Sequence, residues 1–276
     1  MRSLRDQIGE LSIEEIGDYA PSALATEPMP GASGKYSFVS TIDAVELVKS
    51  QGWVPYYAKE CSVRVRGKNG FQHHIIRFTR GEMVGALGEE RFDLILNNSH
   101  DRGSAFKLSL GIFRLVCTNG MVVGQESYNF SHKHINFDEA AFIGSVRQIA
   151  DDGHKIADRV DDFKQIELTR QETGIYAASA AALISEDPNE IDLNEVVKTR
   201  RADDAGADLW RTFNRAQENI IRGGIRRYGK TKSGRPKRDT MPVKSIDRDI
   251  KLNKALWLLT EKMAEIKGAS PAATGL

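Results

Sequence analysis

Two cysteines in 276 residues are too few for a disulfide framework, and without a CxxC pair the chain lacks a common signature of zinc and redox sites. Cys61 and Cys117 sit among apolar or β-branched neighbours, where buried free thiols are expected. Long apolar runs are absent too. Nothing approaches the ~20 residues needed to cross a bilayer, and Met1 to Glu15 carries Arg2 and Arg5 without the apolar centre of a secretory signal. A cytoplasmic location with no membrane contact is expected. The net charge of +1 excludes a general polycation, so any attraction for phosphate must come from uneven placement of charge. Walker, GxSxG and HExxH motifs are also missing. The sequence therefore gives no strong enzyme signal, and no cofactor or metal is expected.

What is present suffices for a core. Hydrophobic residues make up 40% and charged residues 28%, as in an ordinary globular protein. Ser12-Ile13-Glu14-Glu15 has capping-box spacing and predicts a short helix that Pro21 stops. Ile42, Val45 and Val48 recur at helical spacing over Thr41 to Gln51, and Gly52 ends the run. Trp53 to Arg66 and Phe71 to Arg80 flank Gly67-Lys68-Asn69-Gly70 as a β-hairpin. Phe92 to Asn97, Ala105 to Leu110 and Ile112 to Thr118 continue the β-rich centre, with Asn119-Gly120 as a turn. Phe106, Leu108 and Leu110 alternate with Lys107 and Ser109, which predicts one buried and one wet face. Beyond Asp138 the period lengthens. Phe142, Val146, Ile149, Ile156, Val160 and Phe163 predict one long helix or two shorter ones broken at Gly153, then an Ala-rich helix over Ile175 to Ser185. The expected fold is α+β, a mixed or antiparallel sheet with packed helices, followed by a helical C-terminal region containing a basic loop. Its divisions are a lead-in segment over 1–35, an α+β core over 36–170, a helix and linker over 171–205, and a helical region with the basic arm over 206–276.

The uneven charge lies in that last region. Leu209, Phe213, Ala216 and Ile220 give one apolar face to a helix over Asp208 to Arg222. Arg211, Arg215 and Arg222, with Glu218 among them, repeat the spacing on another face as a basic stripe. Gly223-Gly224 ends the helix. From Arg222 to Arg238 there are eight cations and no acid; beyond Arg222 they are Arg226, Arg227, Lys230, Lys232, Arg235, Lys237 and Arg238. Glycines, Pro236 and small polar residues oppose a compact fold there, so the charges are expected to stay mobile and unpaired until phosphate neutralises them. If about six met phosphates, affinity would fall about 10³-fold between 50 and 200 mM salt. Tyr228, between Arg227 and Lys230, could stack on an unpaired base. The competing reading is a solvated loop balanced by Asp203, Asp204 and Asp208. A last helix over Ser245 to Met263, striped by Leu252, Leu256, Leu259 and Met263 and anchored by Trp257, tethers the arm at its far end.

Elsewhere the chemistry is thin. Asn98-Ser99-His100-Asp101 combines an amide, a hydroxyl, an imidazole and a carboxylate, which makes it a candidate active loop, although the same residues build turns between strands. His132-Lys133-His134 lacks accompanying acidic ligands, and His73-His74, in a strand, should face opposite sides.

Longer stretches carry a resemblance. They are Leu96-Asn97-Asn98-Ser99-His100-Asp101 with Ser104, Gly111-Ile112-Phe113-Arg114 through Cys117-Thr118-Asn119-Gly120, Asp208-Leu209-Trp210 through Gln217-Glu218-Asn219-Ile220 to Gly223-Gly224, and Leu252-Asn253-Lys254-Ala255-Leu256-Trp257. Together they resemble a family of phage- and plasmid-borne proteins of unknown function, typified by the prophage proteins YfjQ and YafZ. The likeness spans most of the chain and brings no catalytic or binding residues with it. It implies mobile-element DNA biology: a nucleic-acid-binding accessory protein, DNA favoured and single strands among the candidates, such as a homo-oligomeric annealing or recombination factor. The helix over Thr41 to Gln51 with the following Gly52-Trp53 and hairpin is faintly similar to the annealing-protein fold. The alternatives are a modulator of a host defence or restriction system that sets the basic loop on an acidic host protein, and a metal-dependent nuclease built on Asn98 to Asp101.

Overall fold

Ser12 and Glu15 close the capping box that the spacing predicts. The Ser12 hydroxyl accepts from the Glu15 N–H at 3.1 Å, and Glu15 accepts from the Ser12 N–H at 2.7 Å, which starts α1 (Ile13–Tyr19). This is seen in a computed structural model that describes residues 9–31, 36–63, 65–84, 90–114, 120–122, 129–132 and 137–268. The chain divides into two units, 1–154 and 155–276. In the first, Ser40 caps α2 (Thr41–Ser50), and Gly52 turns the chain out of it at φ +86°.

Strands β1 (Val54–Glu60), β2 (His74–Val84), β3 (Glu90–Asn98) and β4 (Phe106–Arg114) pair antiparallel in chain order. Short strands β5 (Gly120–Val122) and β6 (Asn129–His132) both pair with β4, also antiparallel. The fold is α+β. In the first hairpin β1 ends earlier and β2 starts later than the sequence suggests, which lengthens the loop: Glu60 opposes His74, and a 3₁₀ turn at Arg66–Lys68 lies between. Register places Ile76, Leu96 and Leu108 side by side, with Phe78, Leu94 and Leu110 in the next row, all of them buried. Phe142, Val146 and Ile149 of α3 (Glu139–Gln165) are buried as well, and Phe142 meets Phe106 edge-on at 5.3 Å between centroids.

The opposite sheet face is not wet. Lys107 is exposed, but Ser109, Ile95, Asn97 and Asp93 are buried. Polar groups on that face meet one another across the strands: the Tyr56 hydroxyl donates to Asp93, and the Arg77 guanidinium lies 4.4 Å over the Tyr57 ring. Cys61 is half-buried, not fully buried as expected, and Cys117 lies outside the described residues, as do Asn119, Lys133 and His134.

Helix α3 runs unbroken for 27 residues through Gly153, beginning in the first unit and ending in the second. The penalty of an internal glycine is about 1 kcal/mol. Apolar burial on both sides of it outweighs that, from Phe142, Val146 and Ile149 to Ile156, Val160 and Phe163. In the second unit a capping box of Thr169 and Glu172 starts α4 (Arg170–Ala182) earlier than the Ala-rich run predicts. After the short α5 (Leu193–Val196) come α6 (Leu209–Arg222) and α7 (Ile246–Ile266). Trp257 anchors the core as expected: Phe163 meets it at 5.4 Å and Phe213 at 6.4 Å, and Trp210 stacks on Phe213. The Tyr176 hydroxyl bonds Thr260 at 2.8 Å, and buried Arg159 donates to Glu261 at 2.6 Å. Among the described residues no helix is long and apolar enough to cross a membrane.

Candidate nucleic-acid interface

Helix α6 ends at Gly223, whose φ of +68° suits glycine alone. A Cβ there would stand 2.6 Å from the Met241 carbonyl carbon and 2.7 Å from the Pro242 nitrogen, so the returning chain lies against this residue. The Val243 N–H donates to the Ile221 carbonyl, the Gly224 N–H to Thr240, and the Thr240 N–H to Ile225, at 2.9, 2.7 and 2.9 Å. Further out, Lys230 bridges Pro236, and the Thr231 N–H reaches the Arg235 carbonyl at 2.7 Å. The basic segment is therefore a folded hairpin. Backbone bonds across the loop, including Lys237 N–H to the Gly229 carbonyl at 3.1 Å, override the expectation of a mobile arm.

A second strip of chain holds one edge of that hairpin. The Asp192 N–H donates to the Arg226 carbonyl at 3.0 Å, and the Tyr228 N–H to the Glu190 carbonyl at 2.6 Å. The Arg226 N–H bonds the Glu195 carboxylate at 2.6 Å, and the Tyr228 hydroxyl bonds Asp192 at 2.7 Å. Glu190 takes both Arg227 and Lys237 as ion-pair partners and accepts from Ser185 at 2.7 Å. Lys237, then Ser185 and Arg227, pull the Glu190 carboxyl down to about 2 from 4.5.

The acids that balance this loop are therefore Glu190 and Asp192. Asp203, Asp204 and Asp208, the counter-charges suggested by sequence, serve α6: Arg211 pairs with Asp208 at 2.7 Å and donates to the Asp203 carbonyl. The complementarity of Glu190-Ile191-Asp192 to Arg226-Arg227-Tyr228 was visible in the sequence but lay about 35 residues away.

The expected basic stripe on α6 does not form. Arg215 is 7% exposed, and its guanidinium donates to the carbonyls of Asp204 and Gly206 at 2.9 and 2.6 Å and to Thr212 at 3.0 Å. Burial also pushes its pKa below the usual arginine value. Arg222 is exposed but paired with Glu218 at 3.3 Å, and Arg211 lies about 16 Å farther back along the helix axis at 1.5 Å per residue.

Five of the predicted cations remain: Arg226, Lys230, Lys232, Arg235 and Arg238 are exposed and, among the described residues, form no ion pair. Arg235 and Arg238 join Arg227, Lys237, Thr231 and Ser233 in lining a cleft of about 540 Å³. Tyr228 is half exposed but does not line that cleft. Its hydroxyl bond to Asp192 raises the phenol pKa. Sequence reasoning missed Thr231, Ser233 and Met241, since nothing in an isolated polar or apolar residue marks it as a wall of a cleft.

The loop from Asn98 to Asp101 is placed differently. Asn98, Ser99 and His100 are fully buried. The Asn98 amide donates to Thr41 Oγ1 at 2.9 Å and to the Val39 carbonyl at 3.1 Å. Thr41 Oγ1 also lies 2.8 Å from His74 Nε2 and 3.2 Å from His100 Nε2, while His74 Nδ1 faces the Gln72 carbonyl and Ser22 Oγ at 3.0 and 2.9 Å. A carbonyl can only accept, so His74 carries its proton on Nδ1 and accepts from Thr41 at Nε2. Burial, followed by the neighbouring His100, lowers its pKa from 6.5 to about 3. His73 points the other way, to Asn97 at 2.6 Å. Partial burial pushes the Asp101 carboxyl up, but bonds from Lys68 and the Gly103 N–H outweigh that and hold it below its usual value. The described residues hold no group of three or more His, Cys, Asp or Glu that could bind a metal ion.

Fold and site define an α+β protein with a clamped basic hairpin on its helical unit. The chain belongs to the family described as Domain of unknown function (DUF932), which matches residues 31–257. Two Escherichia coli (strain K12) proteins are similar along nearly their whole length. UPF0380 protein YafZ is 30% identical over 258 residues, 92% of this chain and 91% of that protein. UPF0380 protein YfjQ is 28% identical over 256 residues, with the same coverage. The likeness to YafZ and YfjQ read from the motifs is thus borne out. No solved structure matches.

Proposed function

We propose that this protein binds nucleic acid through the hairpin at 224–240, as a cytoplasmic accessory protein of a phage or plasmid, with DNA the favoured ligand. The observation that carries the reading is the set of five exposed cations that form no ion pair among the described residues, displayed on a backbone that is already folded. Like charges held on a rigid loop repel unless an outside anion neutralises them. A polymer of regularly spaced phosphates does so while releasing its own condensed counter-ions. The hairpin's order lowers the conformational entropy lost on binding. Annealing or recombination is the activity class that this binding would serve.

The test is fluorescence anisotropy of labelled DNA over a salt series. Five phosphate contacts give a slope of log affinity against log salt of about −4, a loss of roughly 10² to 10³-fold between 50 and 200 mM. Absence of binding at low salt would overturn the proposal.

A further inference from the structure

We infer that the cleft on the hairpin seats one unpaired nucleotide, which makes a single strand the preferred ligand; this rests on the nucleic-acid reading above. A duplex is gripped by protruding elements that enter its grooves or lie along its phosphates. A concavity of about 540 Å³ faces the opposite problem, since it accepts something that protrudes into it. That volume lies within the range of small-molecule sites, roughly 300 to 1,000 Å³, and one nucleotide fits such a site.

The lining matches the parts of a nucleotide. Arg235 and Arg238 have no ion-pair partner among the described residues, so they offer charge to the flanking phosphates. Arg227 and Lys237 also line the cleft but are held in place by Glu190, which is itself 8% exposed, so they supply fixed donors with part of their charge already balanced. Asp239 is the one carboxylate in the lining and sets four cations against a single acid. Pro236 and Met241 supply the apolar surface. Met241 is 74% exposed, a placement that leaves its thioether open to water unless a flat apolar group covers it. The face of an unpaired base is such a group and is hidden in a duplex. Because every base has such a face, this contact carries little sequence preference.

The test compares equal-length single-stranded and duplex DNA at low salt, followed by a single strand with its bases replaced by abasic sites. Single strand is expected to bind at least about tenfold more tightly than duplex, and the abasic strand to lose most of that margin. Met241→Glu should remove the preference for single strands while leaving weak duplex binding; an unchanged melting temperature shows that this exposed position does not report on folding. Equal affinity for single strand and duplex, or full binding of the abasic strand, would overturn the cleft while leaving the charge reading intact. If neither DNA binds at low salt, the charge reading falls and the cleft falls with it.

Discussion

The chain has two concentrations of polar side chains, and they are resolved in opposite ways. Around Thr41, His74, Asn98 and His100 the polar groups are sealed inside the first unit, where each hydroxyl, amide and imidazole is used on a neighbour. On the hairpin after Gly223, two of the seven cations are held by an acid and five are left facing water. In sequence both stretches look like candidate sites. What separates them is placement: in the first cluster buried hydroxyl, amide and imidazole groups bond one another, whereas the second carries more cations than its surroundings have carboxylates. An excess of one kind of group at the surface points outward to a ligand, and a mutually bonded set in the interior points to stability.

The strongest way to break that contrast is to disturb the sealed cluster. Thr41→Val removes the oxygen that serves His74, His100 and Asn98, and at 1–3 kcal/mol per stranded buried group the loss is about 3 kcal/mol or more. Chemical denaturation checks this, and the folded fraction should still bind DNA as the wild type does. Next in size is the effect of acid. His74 stays neutral in the folded state down to about pH 3 but takes a proton near 6.5 when unfolded, so folding weakens as pH falls through that window. The slope is about 1 kcal/mol or slightly more per pH unit. The Glu190 clamp behaves differently, since its depressed carboxyl keeps its full contribution above 4.5 and loses it only as pH falls toward 2. Denaturant titrations at pH 7, 6 and 5 should therefore report His74 and not the Glu190 clamp, and His74→Gln should reduce their slope.

Gly223→Ala, which forces a side chain into a glycine-only conformation and against the Met241 backbone, should cost about 1–3 kcal/mol and weaken DNA binding along with it. The smallest effect on stability belongs to the open cluster. Neutralising Arg226, Lys230, Lys232, Arg235 and Arg238 together should leave stability within about 0.5 kcal/mol per site of the wild type while abolishing the salt-dependent affinity. A large loss of stability on that change would mean that these charges serve the fold.

Local rules were enough to place most elements. The Ser12–Glu15 capping box and the apolar period of α6 are each written within a few residues, and those two helices lie where the spacing predicts, while the alternation along β4 places a strand that runs on unbroken to Arg114. The family resemblance was legible for a related reason, since its motifs are contiguous. Arg215 defeated the reading because a helical wheel says which residues share a face but not whether that face is covered; the carbonyls that cover it come from Asp204 and Gly206 in the preceding loop. The order of the hairpin was hidden too. Glycine and proline between cations look like a loose arm until Glu190 and Asp192, far back in the chain, are brought alongside. Gly153 misled for a third reason, because burial on either side of a weak helical position outweighs its local cost.

The most direct test is hydrogen–deuterium exchange with and without a single-stranded oligonucleotide. Added protection is expected across the hairpin, 226–241, and no change across 97–104, which is already closed. Protection that appears at 97–104 while the hairpin stays unchanged would contradict it and move the site to the buried histidines.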